Sequence, residues 1–585
     1  MNPSVRTLVS HALALSAAAA SSEVAARASS TAGLSVLDLA ALVGVAFALT
    51  AACVTPVAAV LARIAPSRAY GLVWGGLVGL HVAINYRFEV VLNEFVRDPK
   101  VFVGVPLAFV AGVVPLVLAD RLVRKVPSWA LLGVGLAALG VAAVRIQPPA
   151  RAPGTAPNVV IISLDTLRMD RTGPYGHTVQ TPVLDRIARE GVVFEQAIAE
   201  APITEPSHLA MLTGIAPYKS GIVTNGTVLG DRPALLWRVL ADEGYATAGF
   251  VSGFPLHGKY GWGQGIDVWD DDFGSVAGVQ SLSIVKAWNQ VAIREHALRE
   301  RTADLVLARA IPWIEANAGT PRFAFVHFYD VHGPYDTHGA LGPPPTEGEP
   351  LELPFYWPAQ DRRVTDARWL ELAYDKEVEF VDRAVGQVVS ALGDELDNTL
   401  LIITADHGES FTEHGYLFDH GDNLYDPSLR VPLIVRYPKA AKAGTRVACQ
   451  VGGVDVVPTV MDVLGVTDGI SRDGRSLKEA MGGGACESTA VYSSTVAGRM
   501  VAEPPVAHSR RMPTEKVVFY SDKNPEYFDL ASDPGETMSL DNGSSRDALD
   551  QLVRALQTGG TLQSAAQDSQ TMQMLQSLGY IEPGE

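Results

Sequence analysis

The chain has 585 residues, 48% of them hydrophobic, which is enough for a large buried core and too long for one simple domain. Its formal charge of −18 is unevenly spread: of 46 basic and 64 acidic residues, 11 and 6 fall in the first 150, leaving 35 against 58 in the rest. An acidic body excludes a nucleic-acid partner, because phosphate backbones need fields of Lys and Arg. Three cysteines (Cys53, Cys449, Cys486) make neither a disulfide framework nor a zinc–thiolate cluster, and they speak against thiol catalysis.

Four nearly uncharged runs open the chain, at roughly 39–62, 70–86, 101–119 and 128–144, each close to the ~17–25 residues a helix needs to cross hydrocarbon. A fifth, LVSHALALSAAAASS, is Ala/Ser-rich and can be mistaken for a signal peptide, whose cleavage would leave four spans. One such run could be a buried core helix. Four in succession, with short charged loops between them, predict an all-α transmembrane region of four or five helices over 1–147. The loop near 63–69 carries Arg63 and Arg68 without an acid, and 120–127 carries Arg121, Arg124 and Lys125 against Asp120. Placing these loops in the cytoplasm puts the C-terminal body outside. The expected setting is therefore a multi-pass cell-membrane protein, partnered by the lipid bilayer, with an extracytoplasmic catalytic body. The Pro-rich 148–157 is a linker.

From NVVIISLDTLRMD onward the body reads as α/β. Continuous β-branched runs suit buried parallel strands, and amphipathic segments such as TPVLDRIAREGVVF suit the helices between them. The alternation predicts a mostly parallel sheet sandwiched by helices, whose ligands gather at the carboxyl ends of strands. Polar clusters fall at those ends: Asp165 after VVIISL, Asp330 and His332 after FAFVHFY, Asp406 and His407 after TLLIITA.

Each cluster has a plainer reading. Asp165 alone could cap a turn, as could Asp406-His407-Gly408. Asp330 and His332, at i and i+2, would share one side of an extended segment. The adjoining His327 reads as a packed strand residue. In TEHGYLFDHGDNLYD, one of His414 and His420 could be a ligand and the other surface. Three Asp/His clusters at strand ends in one domain would be an unusual coincidence. Carboxylate and imidazole without thiolate suit a divalent metal, Zn²⁺ or Mn²⁺ ahead of Ca²⁺. In APITEPSHLAMLTG, Thr204 precedes a helix and can be its N-cap, a metal-activated nucleophile, or both.

These motifs resemble the sulfatase family of the alkaline phosphatase superfamily. NVVIISLDTLRMDRTGPYG resembles its opening strand and first metal ligand, and ITEPSHLAMLTG its nucleophile motif. FVHFYDVHGPY, ITADHGE and LYDPSLRVPLIV follow in family order, and GGVDVVPTVMDVLGV, EYFDLASDPGETMSL and LQSLGYIE resemble its C-terminal part. The resemblance implies a catalytic domain over 158–470 and a C-terminal subdomain with a small antiparallel sheet over 471–585. It also implies that Asp165, Thr204, Asp406 and His407 hold the activating metal. Asp330, His332 and His420 would then form a second metal site or bind the ester oxygens.

The departures are specific. Thr204 replaces the Cys or Ser that sulfatases convert to formylglycine. His208, counted with Thr204 as catalytic, stands where the motif has Arg. Thr166 stands where a second calcium-binding Asp is usual, and FVSGF (250–254) lacks the family's lysine. A Thr nucleophile instead resembles nucleotide pyrophosphatases and phosphoethanolamine or phosphoglycerol transferases. The expected function is a membrane-anchored, metal-dependent hydrolase of phosphate or sulfate esters of envelope or extracellular origin. The rivals are a transferase using the same covalent step and a catalytically inert envelope-binding domain.

Overall fold

A computed structural model describes residues 156–230, 235–273, 300–354, 357, 361–496, 506–520, 524–540 and 543–558. The chain divides into two units, of which the larger, 151–271 with 299–585, carries both sheets. The transmembrane region expected over 1–147 and nearly all of the linker lie outside the described residues. Among the described residues no helix is long and apolar enough to cross a membrane.

The main sheet has the strand order β4-β3-β5-β1-β6-β7-β2-β8. Its strands are β1 (Asn158–Leu164), β2 (Val192–Ile198), β3 (Ala246–Phe250), β4 (Val268–Asp270), β5 (Arg322–Phe328), β6 (Thr399–Thr404), β7 (Arg430–Arg436) and β8 (Thr445–Gly452). All neighbours pair parallel except those of β7, which runs antiparallel to β6 and β2. In the central strands β5, β1 and β6 every residue is buried, so their runs show no inside–outside alternation. Helices α1 (Pro182–Glu190), α2 (Thr204–Thr213), α3 (Leu236–Asp242), α4 (Ala303–Ala316), α5 (Ala367–Leu392) and α6 (Val456–Leu464) connect them. The helix α4 packs on β5, α5 packs on α4 and α1, and α6 packs on α2.

The small sheet is an antiparallel meander of β9 (Val491–Val496), β10 (Val506–Met512), β11 (Glu515–Tyr520) and β12 (Glu526–Asp529). It buries Val517 against Ala548 and Leu552 of α7 (Gly543–Thr558). Two devices dock it on the main sheet. Strand β9 donates Ser494 N–H to Glu200 O (2.8 Å) and Ser493 Oγ–H to Ala199 O (2.7 Å). Buried Lys516 bridges Asp426 (3.0 Å) and Glu536 (2.6 Å), while Arg511 grips Asp426 from β10.

One expectation fails here. Cys449 and Cys486 form a disulfide, with their Cα atoms 5.9 Å apart. Nothing local signals it across a separation of 37 residues; edge strand β8 and the segment leading to β9 meet only in the fold.

Candidate active site

The ladder register assembles the centre. Ser163 of β1 pairs with Thr404 of β6 on one side and His327 of β5 on the other. Paired residues share a face and faces alternate, so Asp165 and Asp406, each two residues further on, come side by side where the strands end. Among the described residues, Asp165 Oδ1, Asp406 Oδ2 and His407 Nε2 are buried without hydrogen-bond partners, and Asp165, Asp406 and His407 each offer an atom within 4.8 Å of the others'. Burial and the nearby Glu409 carboxylate push the Asp165 carboxyl well up, and burial and Asp165 do the same to Asp406. Burial and His420 hold His407 neutral. Two carboxylates and an imidazole at such cost form a set that a divalent cation satisfies. The residues present fit a metal.

Thr204 faces this set, its hydroxyl 3.5 Å from Asp165 Oδ2. It is the first residue of α2, with Ile203 at the cap position, so the expected N-cap lies one residue early. Pro206 is tolerated in a first turn, which lets the helix begin before it. The next amide, Glu205 N–H, is satisfied by Asn225 Oδ1 (2.8 Å), so the Thr204 hydroxyl is not spent on capping it. Gly214, at φ 74, closes the helix in the left-handed region where a side chain would be strained.

The other expected site residues divide. His332 and His420 are buried near the centre: the His420 ring lies 4.6 Å from that of His407 and 4.8 Å from that of His332. Glu409 Oε1 holds His420 Nδ1 at 3.1 Å, and His332 Nδ1 meets Gly333 O at 2.7 Å. Asp330 takes a different place. Strand β5 ends at Phe328 and the chain turns, His332 N–H bonding back to Tyr329 O (2.9 Å), so the i, i+2 alternation no longer holds. Asp330 Oδ1 accepts from Ala303 N–H (3.0 Å) at the start of α4, and burial raises its carboxyl to about 7. It does not join the three-residue set.

His208 lies behind Thr204, fully buried, with Nδ1 2.8 Å from Thr204 O, Nε2 2.9 Å from Ser163 Oγ and Asp406 Oδ2 at 3.5 Å. Both its nitrogens are engaged inside the protein.

Three contributors escape a sequence reading. His327, read as strand packing, places Nε2 3.0 Å from Asp165 Oδ2. Glu409, two residues after His407, holds His420; its nearness to Asp-His-Gly was the available signal. Arg168 donates to Glu409 O (2.9 Å) and pairs with Asp170 and Glu413, tying the loop to the end of β1. Thr166 adopts a left-handed φ of 55 and turns its N–H to Asp406 Oδ1 (3.3 Å), a strain of about 1–3 kcal/mol kept at the site.

Comparison with known proteins agrees with this architecture. The Sulfatase family profile matches residues 157–466, and that of the N-sulphoglucosamine sulphohydrolase C-terminal region matches 412–559. The uncharacterized sulfatase YidJ of Escherichia coli is 27% identical over 338 residues, covering 52% of this chain and 67% of that one. The N-acetylglucosamine-6-O-sulfatase of Bacteroides thetaiotaomicron is 25% identical over 501 residues, 72% of this chain and 88% of that one. In fold, the crystal structure of a phosphonate monoester hydrolase of Agrobacterium radiobacter superposes with a TM-score of 0.53 at 21% identity, over 68% of this chain and 95% of that one. With a family match over more than half its length, the chain belongs to the Sulfatase family and is an ester hydrolase.

Proposed function

We propose that this hydrolase cleaves phosphate or sulfate esters outside a cell membrane, using Thr204 as nucleophile. The carrying observation is the convergence of Asp165, Asp406 and His407 on one point, with the Thr204 hydroxyl beside it. Sulfatase-family enzymes depend on a metal, and two carboxylates, an imidazole and a hydroxyl suit Mn²⁺ or Zn²⁺. When bound, a divalent ion lowers the hydroxyl pKa and offsets charge on the ester oxygens.

Thr204 Oγ attacks phosphorus or sulfur and gives up its proton. The bond to the leaving oxygen breaks, and the alcohol departs carrying a proton. Water then cleaves the threonine ester, releasing phosphate or sulfate and restoring the hydroxyl. The N-terminus of α2 favours the anionic group being transferred, and His332 and His420, whose rings lie 4.8 Å apart, would meet its oxygens. The intact set weighs against an inert binding domain, and water suffices as acceptor without invoking a transferase.

Phosphate is the better fit. Thr204 cannot become formylglycine, and the lysine-free segment carries Ser252, whose hydroxyl is turned into the fold toward His327 O (2.9 Å). The membrane setting is supported by the four apolar runs and the basic first 150 residues. The Cys449–Cys486 disulfide supports an oxidising compartment. Thr204→Ala tests the mechanism: turnover should vanish while bound metal and melting temperature stay near wild type, and a variant keeping a tenth of the rate would leave Thr204 a helix-start residue only.

A further inference from the structure

We propose that His327 is a positioning residue: its Nε2–H fixes one oxygen of Asp165, so that this carboxylate offers a single oxygen to the metal and keeps the other for Thr204. The inference rests on the metal-centred reading above and adds a residue to it.

The parallel ladder sets His327 opposite Ser163, one alternation before Asp165, on the face the carboxylate shares. Nε2 lies 3.0 Å from Asp165 Oδ2, the same oxygen that Thr204 Oγ approaches at 3.5 Å. Asp165 Oδ1 is left over, 3.9 Å from His407 Nε2 and buried without a partner. Among the described residues, Nδ1 of the His327 imidazole likewise has no hydrogen-bond partner. Around it are the rings of Phe325, Tyr329 and His208, and Gly253 lies so close that a Cβ there would sit 3.1 Å from its Cε1. A Leu or Phe would fill this strand position at lower desolvation cost. What a histidine adds is one N–H aimed at one ligand oxygen, the arrangement by which outer groups orient metal-binding carboxylates.

The test is Zn²⁺ titration of the chelator-treated full chain by calorimetry, with melting of the metal-free proteins recorded alongside. His327→Met removes the donor at similar size and should weaken Zn²⁺ binding by about 10- to 100-fold. His327→Gln retains an N–H donor and should stay within about threefold of wild type, a rescue expected of an orienting hydrogen bond. If the Met variant fails to fold, His327→Asn replaces it, since its shorter amide cannot span the gap. Equal Zn²⁺ affinity in wild type and the donor-less variant, or equal loss in the Gln and Met variants, overturns the proposal and leaves His327 a packing residue. Failure of the underlying reading looks different: wild type itself would bind no Zn²⁺.

Discussion

Glu200 is a buried acid that the chemistry does not use, and its replacement by Gln makes a sharp prediction. The side chain follows β2 and is 1% exposed; Oε1 accepts from Val454 N–H (3.1 Å), and among the described residues Oε2 has no partner. A Cβ on Gly452 or Gly453 would collide with its oxygens, so the carboxyl is closely held. Burial, with help from Asp455 and Asp473, raises its pKa from 4.5 to about 8. Folding therefore favours the protonated form. The stability this acid allows is fully present below pH 4.5, falls as pH rises, and is lost once pH passes about 8. At about 1.4 kcal/mol per pH unit the full swing is on the order of 5 kcal/mol, an upper figure if the interior relaxes. Glu200→Gln is neutral throughout and removes this term. Denaturant melts of both proteins at intervals from pH 5 to pH 9, with metal saturating, should show the variant gaining on wild type by several kcal/mol across the range. Comparing the two cancels the contributions of buried acids that do not interact with Glu200. Parallel curves would refute the reasoning, meaning that Glu200 is ionised in the native state with a partner supplied by relaxation or water.

Asp165→Ala, Asp406→Ala and His407→Ala should each lower bound metal; elemental analysis giving unchanged stoichiometry would make these residues strand-end structure. Cys486→Ser, or reduction of the wild type, should cost about 3–4 kcal/mol in the chain-entropy view of a cross-link spanning 37 residues, read as a fall in melting temperature. Phosphate diesters or monoesters should be cleaved with higher kcat/KM than matching sulfates, because Thr204 lacks the aldehyde hydrate that eases sulfate release. An aryl sulfate preferred by unmodified protein would reverse that order.

What the sequence discloses here follows from the range of each interaction. Asp165 and Asp406 are legible because each terminates a run too apolar and β-branched to be anything but a buried strand, and such strands bring functional groups to their carboxyl ends. Thr204 is legible because Pro206 and the following apolar residues mark a helix start within a residue. The position of Asp330 is less legible for the opposite reason: the i, i+2 argument assumed that β5 continues past Phe328, and the turn that follows changes which side chains share a face. His327 and the disulfide depend on neither local pattern. The histidine acquires its partner only when β5 and β1 align Ser163 with His327, and a one-residue slip would send its ring to the other face. Cys449 meets Cys486 only because the edge strand β8 meets a segment that returns from beyond α6. The groups that would hold the metal are thus written locally, at strand ends. The groups that orient them are written in the pairing of strands distant in the chain, and the His327 variants probe that second level directly.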